Sequence, residues 1–163
     1  MKQLLTVLFL LTSIISISQQ KVGNENFDKM LSSLLSHSVN EVVPADCHNK
    51  SIIFLDAREK EEYNISHIKN AIWTGYNTFK IKNIQNIPKN TQIVVYCTVG
   101  WRSEKVAEKL EKAGFINVSN LYGGIFEWAH TGHTVYNDIG VTNNIHTYNN
   151  EWGQWLTTGN KTN

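Results

Sequence analysis

Apolar residues recur along the chain in two patterns, which predict alternating helices and strands. Short continuous apolar runs, typical of buried parallel strands, occur at residues 52–55, 71–73, 93–97 and 117–121. Helical stretches separate them at residues 59–65 and 102–115. An N-terminal helix is predicted where the spacing is i, i+3, i+4, i+7 and i+8: Phe27, Met30, Leu31, Leu34 and Leu35. We therefore predict an α/β fold, with one central parallel sheet flanked by helices.

The two ends of the chain differ from this alternating pattern. Residues 1–18 hold a single charge, Lys2, then an apolar run, then small residues, which is typical of a secretory signal peptide. We expect cleavage after Ser18, export to the periplasm or the extracellular space, and no stable membrane insertion after cleavage. The alternative is an uncleaved segment that anchors the chain to a membrane.

The remainder of the chain divides into three predicted parts. Residues 19–50 form the N-terminal helix and a lead-in, and residues 51–129 form the core of the domain. Residues 130–163 are rich in Asn, Thr and Gly and form a loop-rich C-terminal extension. We expect this extension to pack on the domain through its aromatic residues and then to fray: Tyr148, Trp152 and Trp155.

Charge argues against a nucleic-acid partner. Of the 15 basic residues only Lys2 lies in the predicted signal peptide, so 14 remain against 14 acidic residues. A nucleic-acid-binding domain typically has a clear basic excess, so we expect no nucleic-acid partner. A hydrophobic content of 41% with 18% charged residues is ordinary for a globular domain.

Cys97 is the residue most suggestive of chemistry, because it follows the most apolar predicted strand and precedes a helix. Ligands bind at the carboxyl ends of the strands in α/β sheets. A sulfur anion there would face unpaired N–H groups at the start of the next helix, together with the Arg102 guanidinium. Gly100 can adopt the backbone angles that a loop around an anion requires. These surroundings favour a nucleophilic thiolate.

Four motifs together resemble the rhodanese-like domain family between about residues 51 and 128. They are Cys-x-x-Gly-x-Arg-Ser from Cys97, Asp-x-Arg from Asp56, Ser-His-Ile around His67, and Gly-Gly-x-x-x-Trp from Gly123. The resemblance implies a sulfurtransferase that holds a sulfane sulfur on its cysteine as a persulfide. The donor would be thiosulfate or a persulfide, and the acceptor cyanide or a thiol.

The resemblance also implies a set of site residues. Cys97 would be the nucleophile, and the loop after it would supply N–H groups to the bound sulfur. The residues assigned to substrate binding are Thr98, Val99, Gly100, Trp101, Arg102, Ser103 and Arg58. No cofactor and no metal are implied.

Several of these side chains have a structural alternative. Arg102 either attracts an anionic donor or pins the loop by pairing with Asp56 or another carboxylate. Arg58 either lines the mouth of the site or pairs on the surface. We expect Trp101 to pack on the domain, the alternative being an exposed apolar wall. His67 is expected to be a packing residue and Trp128 a core residue. Gly123 and Gly124 are expected to form a tight turn after the last strand.

Other functions compete with sulfur transfer. Phosphatases on a related scaffold have five residues between their Cys and Arg, whereas this chain has four between Cys97 and Arg102. A non-catalytic module that binds a partner or senses sulfur species would keep the same fold. Cys47 is expected to be a small hydrophobe or an exposed thiol without function. The alternatives are a disulfide with Cys97 or redox chemistry with it, which require the two α-carbons to lie within about 7 Å.

Overall fold

The computed structural model describes residues 21–163 and arranges them around a central sheet. The α-helices are α1 (Glu25–Leu34), α2 (Lys60–Ile65), α3 (Trp101–Lys112), α4 (Gly124–His130) and α5 (Asn150–Gly153). The strands are β1 (Glu41–Val42), β2 (Ile53–Asp56), β3 (His67–Ile68), β4 (Ile72–Trp73), β5 (Ile93–Tyr96), β6 (Val118–Leu121), β7 (Val135–Tyr136), β8 (Val141–Thr142), β9 (Asn144–His146) and β10 (Asn160–Thr162). Two 3₁₀ turns cover Pro44–Asp46 and Ile81–Ile84.

The predicted signal peptide and its cleavage after Ser18 lie outside the described residues. Among residues 21–163, none of the helices combines the length and the apolar character that a membrane crossing requires.

The central sheet confirms the predicted α/β fold. Its five strands run in the order β1-β6-β5-β2-β4, and every pairing is parallel. The most apolar strand, β5, lies in the middle, with Ile93 opposite Ile53 on one side and Val118 on the other. A strand paired on both edges and covered on both faces has no solvent-exposed position, which explains its continuous apolar sequence.

Alternate side chains of β5 belong to two separate hydrophobic clusters, one on each face of the sheet. Val94 and Tyr96 join the cluster that α1 and α4 cover, whereas Ile93 and Val95 join the one that α3 covers. Full burial of one large apolar side chain contributes about 1.5–3 kcal/mol. The buried residues Val106, Ala107 and Leu110 therefore hold α3 against one face of the sheet.

The N-terminal helix is confirmed by α1. Asn24 caps it by accepting a hydrogen bond from the Phe27 N–H at 3.0 Å. Phe27 and Leu31 on its inner face are completely buried. The segment after it contains β1, which pairs with β6 at the sheet edge although it precedes the predicted core boundary at residue 51.

Helix α4 was not predicted, because residues 123–124 were interpreted only as a tight turn. Both glycines adopt positive φ, +79° for Gly123 and +56° for Gly124, and the helix begins there. Residues 124–129 are all buried. A helix buried on every side has no polar face, so its sequence lacks the periodicity that indicates a helix.

The C-terminal extension packs on the sheet and does not fray. Ile145 and Leu156 are almost fully buried, and Trp152 and Trp155 pack against the same cluster as α1. The predicted fraying is wrong because β10 pairs with β9, with the Asn160 N–H donating to the Asn143 carbonyl at 2.7 Å. These backbone hydrogen bonds hold the last strand in place. Earlier in the extension, β7 pairs with both β3 and β8 in a small antiparallel sheet.

Candidate active site

Cys97 lies directly after β5, at the carboxyl edge of the central sheet. Its side chain is 1% exposed and belongs to the same cluster as Ile93 and Val95. The sulfur nevertheless lines a cavity that opens at this edge. The central strand therefore places Cys97 at a cavity on the edge of the sheet where ligands bind in α/β folds.

The loop after Cys97 curls back toward the sulfur. The Gly100 N–H donates to Cys97 Sγ at 3.2 Å. Gly100 has φ +123°, a conformation that side-chain-bearing residues rarely adopt, and it caps the first turn of α3. The loop therefore directs a backbone hydrogen-bond donor at the sulfur.

The loop carbonyls are bound by N–H groups of α4. The Ile125 N–H donates to the Cys97 carbonyl at 2.9 Å, and the Phe126 N–H donates to the Thr98 carbonyl at 3.3 Å. This approach requires Gly124, because a Cβ there would lie 2.4 Å from the Cys97 oxygen and 2.6 Å from the Thr98 oxygen. The first turn of α4 thus fixes the orientation of the peptide groups around Cys97.

Ser103 was assigned to substrate binding, but the structure places it under the loop. It is fully buried, and its hydroxyl donates to Asn120 Oδ1 at 2.7 Å. Asn120 Nδ2 in turn donates to the Gly100 carbonyl at 3.1 Å. The Ser103 hydroxyl is therefore used in positioning Gly100, and it has no exposed surface for a substrate.

Arg102 uses its guanidinium to fasten the loop to α2. It donates to Glu62 Oε2 at 2.6 Å and to Glu62 Oε1 at 2.8 Å, and Nη2 also reaches Thr98 Oγ1 at 2.7 Å. Thr98 donates to Glu62 Oε1 at 3.0 Å. The pairing alternative for Arg102 is therefore observed, with Glu62 in place of Asp56 as the carboxylate. Arg102 also lines the cavity, so its charge faces the site.

The electrostatics of this pair favour the charged forms of both partners. Burial raises the pKa of Glu62, but hydrogen bonding to Arg102 and the charges of Arg102 and Arg58 outweigh it, so the net pKa is lowered from 4.5. For Arg102, burial opposes the charged form, yet the Glu62 hydrogen bonds and the attraction of Cys97 raise its pKa overall. A cation therefore stays beside the sulfur throughout the physiological pH range.

Arg58 was also assigned to substrate binding, and the structure corrects that assignment. It is completely buried and pairs with Asp56, with Nη2 at 2.6 Å from Oδ2 and Nε at 3.0 Å from Oδ1. Nη2 also donates to the Ser66 carbonyl at 2.5 Å. Both alternatives, lining the mouth of the site and pairing on the surface, require an exposed Arg58 side chain, whereas the structure buries it completely. Because only one residue separates Asp56 from Arg58, the two side chains pair within the same buried turn.

A cavity of about 320 Å³ opens above Cys97. Its lining comes from α1, the loop and the C-terminal extension: Leu34, Cys97, Thr98, Val99, Trp101, Arg102, Tyr148 and Trp152. Four of the assigned loop residues therefore line the cavity together with Cys97. The extension contributes two aromatic walls that the motifs do not indicate.

Trp101 differs from the expectation that it packs on the domain. Its side chain is 41% exposed and lines the cavity, and its ring lies tilted against that of Tyr76 at a centroid distance of 5.8 Å. Tyr148, expected to anchor the extension, is 52% exposed and stands over the Arg102 guanidinium at 5.0 Å. As the first residue of α3, Trp101 points away from the face that α3 presents to the sheet.

The disulfide alternative is wrong, since both cysteines are free in the structure. Cys47 packs against the cluster covered by α1, whereas Cys97 belongs to the cluster on the other face of the sheet. Burial, followed by the charge of Asp46, raises the pKa of Cys47 to about 11. Cys47 therefore remains a neutral thiol at physiological pH.

Two histidines differ in whether their role was predicted from the sequence. His67 is a packing residue, as expected: it stacks on Tyr63 at 4.0 Å, and its Nδ1 lies 3.0 Å from the Tyr63 carbonyl. His146 was not singled out, although β9 brings it beside α2 and near the Glu62–Arg102 pair. Burial lowers its pKa, with the nearby charges acting in both directions.

The model of the rhodanese-like domain family matches residues 40–131, more than half of the chain. Among curated relatives, the tRNA uridine(34) hydroxylase of Aster yellows witches'-broom phytoplasma is 38% identical over 84 residues. That match covers 48% of this chain and 27% of the relative. The chain thus spans about a quarter to a third of the length of the curated relatives it matches.

The matches to two solved structures cover more of those proteins than the matches to the curated relatives do. The BH2092 protein of Bacillus halodurans is 27% identical with a TM-score of 0.56, and the match covers 72% of this chain and 88% of that one. A rhodanese-like domain protein from Staphylococcus aureus is 27% identical with a TM-score of 0.52, covering 61% of this chain and 98% of its own. The chain, with its parallel sheet and its cysteine loop, belongs to the rhodanese-like domain family.

Proposed function

We propose that the chain is a sulfurtransferase that holds a sulfane sulfur on Cys97. One observation carries the proposal: Cys97 Sγ sits at the bottom of an open cavity with the Gly100 N–H 3.2 Å away and the Arg102 cation on the cavity wall. Hydrogen bonding and nearby positive charge activate a thiol as a nucleophile. The loop therefore has the chemistry needed to receive and retain an anionic sulfur.

The reaction consists of two displacements at sulfur. In the first, the Cys97 thiolate attacks the sulfane sulfur of thiosulfate, a new S–S bond forms, and sulfite leaves with the electron pair of the old S–S bond. In the second, cyanide or a thiolate attacks the outer sulfur of the persulfide, and Cys97 departs as the thiolate. Thiocyanate or an acceptor persulfide is the product, and no outside oxidant or reductant is needed.

Arg102 has two tasks in this scheme. Its hydrogen bonds to Glu62 and Thr98 hold the loop in the shape that directs Gly100 at the sulfur. Its remaining charge, on the cavity wall, attracts an anionic donor toward Cys97. Thr98, Val99 and Trp101 shape the site around the incoming molecule.

The names of the curated relatives raise a second candidate, action on uridine 34 of tRNA. It is supported by 38% identity over 84 residues, within a match that covers only 27% of the relative. Our expectation of no nucleic-acid partner remains a prediction, based on the near balance of 15 basic and 14 acidic residues. A gel-shift measurement with tRNA tests it, and binding at physiological salt would reverse our preference.

The cellular location and the domain boundaries remain proposals. Export to the periplasm or extracellular space depends on residues 1–18, and the N-terminal residue of the mature protein tests it. We propose a catalytic core over residues 51–129 and a C-terminal extension from residue 130 that completes the cavity. The family match over residues 40–131 supports including β1 in that core.

The experiment that tests the proposed activity is thiocyanate formation from thiosulfate and cyanide. We expect turnover by the full chain, none above background with Cys97→Ser, and unchanged turnover with the matched control Cys47→Ser. Turnover that survived in Cys97→Ser would refute the mechanism. A fully folded native chain without turnover would favour the non-catalytic binding module.

A further inference from the structure

The cavity above Cys97 is mainly apolar, although a small inorganic anion is the simplest donor for this chemistry. Leu34 of α1, Val99 and Trp101 of the loop, and Tyr148 and Trp152 of the extension form its walls. Three of these five side chains are aromatic. Aromatic walls around a few polar groups are typical of sites that bind an organic molecule.

Among residues 21–163, Arg102 is the one cation that lines the cavity, and it is already paired. The Arg102 guanidinium makes two hydrogen bonds to Glu62, and its plane also lies under the Tyr148 ring at 5.0 Å. Glu62 therefore neutralises most of the charge that a dianion such as thiosulfate would use. A donor with one negative charge and an apolar body fits this balance better.

The size of the cavity supports the same conclusion. Its volume of about 320 Å³ is at the lower end of the range of organic-ligand pockets, about 300–1,000 Å³. A donor with an aromatic or branched group fills this space and removes apolar wall surface from water, which contributes about 25 cal/mol per Å². Thiosulfate would leave the aromatic walls in contact with water.

We propose that the donor is an organic sulfane-sulfur compound, R–SO₂–S⁻ or R–S–S⁻, in which R is an aromatic or bulky apolar group. This inference rests on the proposed function of Cys97. Trp101, Tyr148 and Trp152 are the residues that select R, while the loop acts on the sulfur. The C-terminal extension is therefore a specificity element.

The chemical step is the same for each donor of this class. The Cys97 thiolate attacks the terminal sulfur, forming the persulfide, and the donor's S–S bond breaks. The sulfinate RSO₂⁻ or the thiolate RS⁻ leaves with the bonding electron pair. Charge and atoms balance, and the apolar group R remains among the aromatic walls while the bond breaks.

The first test compares donors that share one reacting group. The rate constant for persulfide formation, divided by the donor's half-saturation concentration, is measured for benzenethiosulfonate, methanethiosulfonate and thiosulfate. We expect benzenethiosulfonate to exceed methanethiosulfonate by about tenfold or more, as apolar pockets discriminate by this order. Trp101→Ala should reduce that ratio by about fivefold or more, and Trp101→Phe should restore most of it.

A matched control and a second variant keep this test specific. Ile139 is 97% exposed and lies outside the cavity, so Ile139→Ala should leave the donor ratio unchanged. Tyr148→Ala should lower the ratio in the same direction as Trp101→Ala. Equal rates for the phenyl and methyl donors in the wild type, or an equal loss for all donors in Trp101→Ala, would overturn the inference.

A binding measurement separates the inference from the proposed function. Calorimetry with Cys97→Ser and benzenesulfonate, an unreactive analogue, should show binding that Trp101→Ala weakens, and methanesulfonate should bind much more weakly. If that pattern is found but no donor loads Cys97, the proposed function fails and the ligand class stands. If Cys97 loads equally from all donors and benzenesulfonate does not bind, the inference fails alone.

Discussion

The bottom of the active-site cavity and its walls differ in almost every physical property. At the bottom, Cys97, Thr98 and Ser103 are buried, and hydrogen bonds from neighbouring elements hold the loop that carries them. On the walls, Trp101 and Tyr148 are about half exposed, with Trp101 tilted against Tyr76 and Tyr148 over the Arg102 guanidinium.

The two proposals assign chemistry to the bottom of the cavity and selectivity to its walls, and this difference supports that division. A nucleophile needs fixed donors and a fixed charge, which a dense network of hydrogen bonds provides. A surface that selects an apolar group needs exposed aromatic area. The residues of such a surface can vary, because exposed side chains are less constrained by packing than buried ones. Substitutions at the bottom should therefore affect every donor, whereas substitutions in the walls should affect only some.

The largest effect is expected from Gly124→Ala. The new Cβ would lie 2.4 Å from the Cys97 carbonyl oxygen, and φ is +56° there. Overpacking and left-handed strain together should lower the free energy of unfolding by about 3 kcal/mol or more. Denaturant titration measures the loss, and sulfur uptake should fall for every donor.

Gly132→Ala is the matched control for that variant. Gly132 has φ +80°, but among residues 21–163 no heavy atom beyond its own chain neighbours lies within 4 Å of the added Cβ. It should cost only about 1–2 kcal/mol, with sulfur uptake unchanged. Equal losses in the two variants would show that backbone strain, and not the contact of α4 with the loop, determines the effect.

A smaller effect is expected from Glu62→Gln. The substitution weakens two charged hydrogen bonds to Arg102, which should lower the free energy of unfolding by about 1–3 kcal/mol at neutral pH. Because the folded-state pKa of Glu62 is lowered from 4.5, this stabilisation is fully present above pH 4.5. It is lost as the pH falls through the lower folded-state value.

Denaturant titrations at several pH values measure this dependence. The stability difference between the wild type and Glu62→Gln should shrink as the pH falls below 4.5. The exposed neighbour provides a control, since Glu61→Gln should have little effect at any pH. A difference that stays constant with pH would contradict the assigned charge of Glu62.

The smallest effect is expected from Cys47→Ser, which should leave thiocyanate formation unchanged. The reactivity of the Cys47 thiol in the native protein tests the reason for this. With its pKa raised to about 11, Cys47 should react slowly with iodoacetamide at neutral pH and faster only as the pH approaches that value. Peptide mass spectrometry follows the labelling, and a count in denaturant confirms both thiols. Rapid labelling of Cys47 at neutral pH would contradict its assignment as an inert thiol.

Most of the fold could be predicted from the sequence, and so could the position of Cys97, the proposed nucleophile, because both depend on local patterns. Buried parallel strands have continuous apolar runs, and β2, β4, β5 and β6 were found on that basis. Cys97 stood out because it follows such a run and precedes a helix. The two-residue strand β1 and the buried helix α4 have no distinctive pattern, and neither was predicted.

The residues that support the nucleophile could not be identified, because they meet only in three dimensions. Glu62 is 40 positions from Arg102, and Asn120 is 20 positions from Gly100. Gly124 was noticed only as a turn residue, since its contact with the Cys97 carbonyl arises from the crossing of α4 over the loop. The misassignments of Arg58 and Ser103 have the same cause, because burial is not a property of a short motif.

The most direct test of the central claim is the intact mass of the protein after incubation with a sulfane-sulfur donor and removal of the excess. The account predicts a gain of one sulfur atom, located on the Cys97 peptide, absent in Cys97→Ser and removed by cyanide. The donor set should include both thiosulfate and benzenethiosulfonate. A folded protein that gained no sulfur from either, or that gained it equally in Cys97→Ser, would contradict the account.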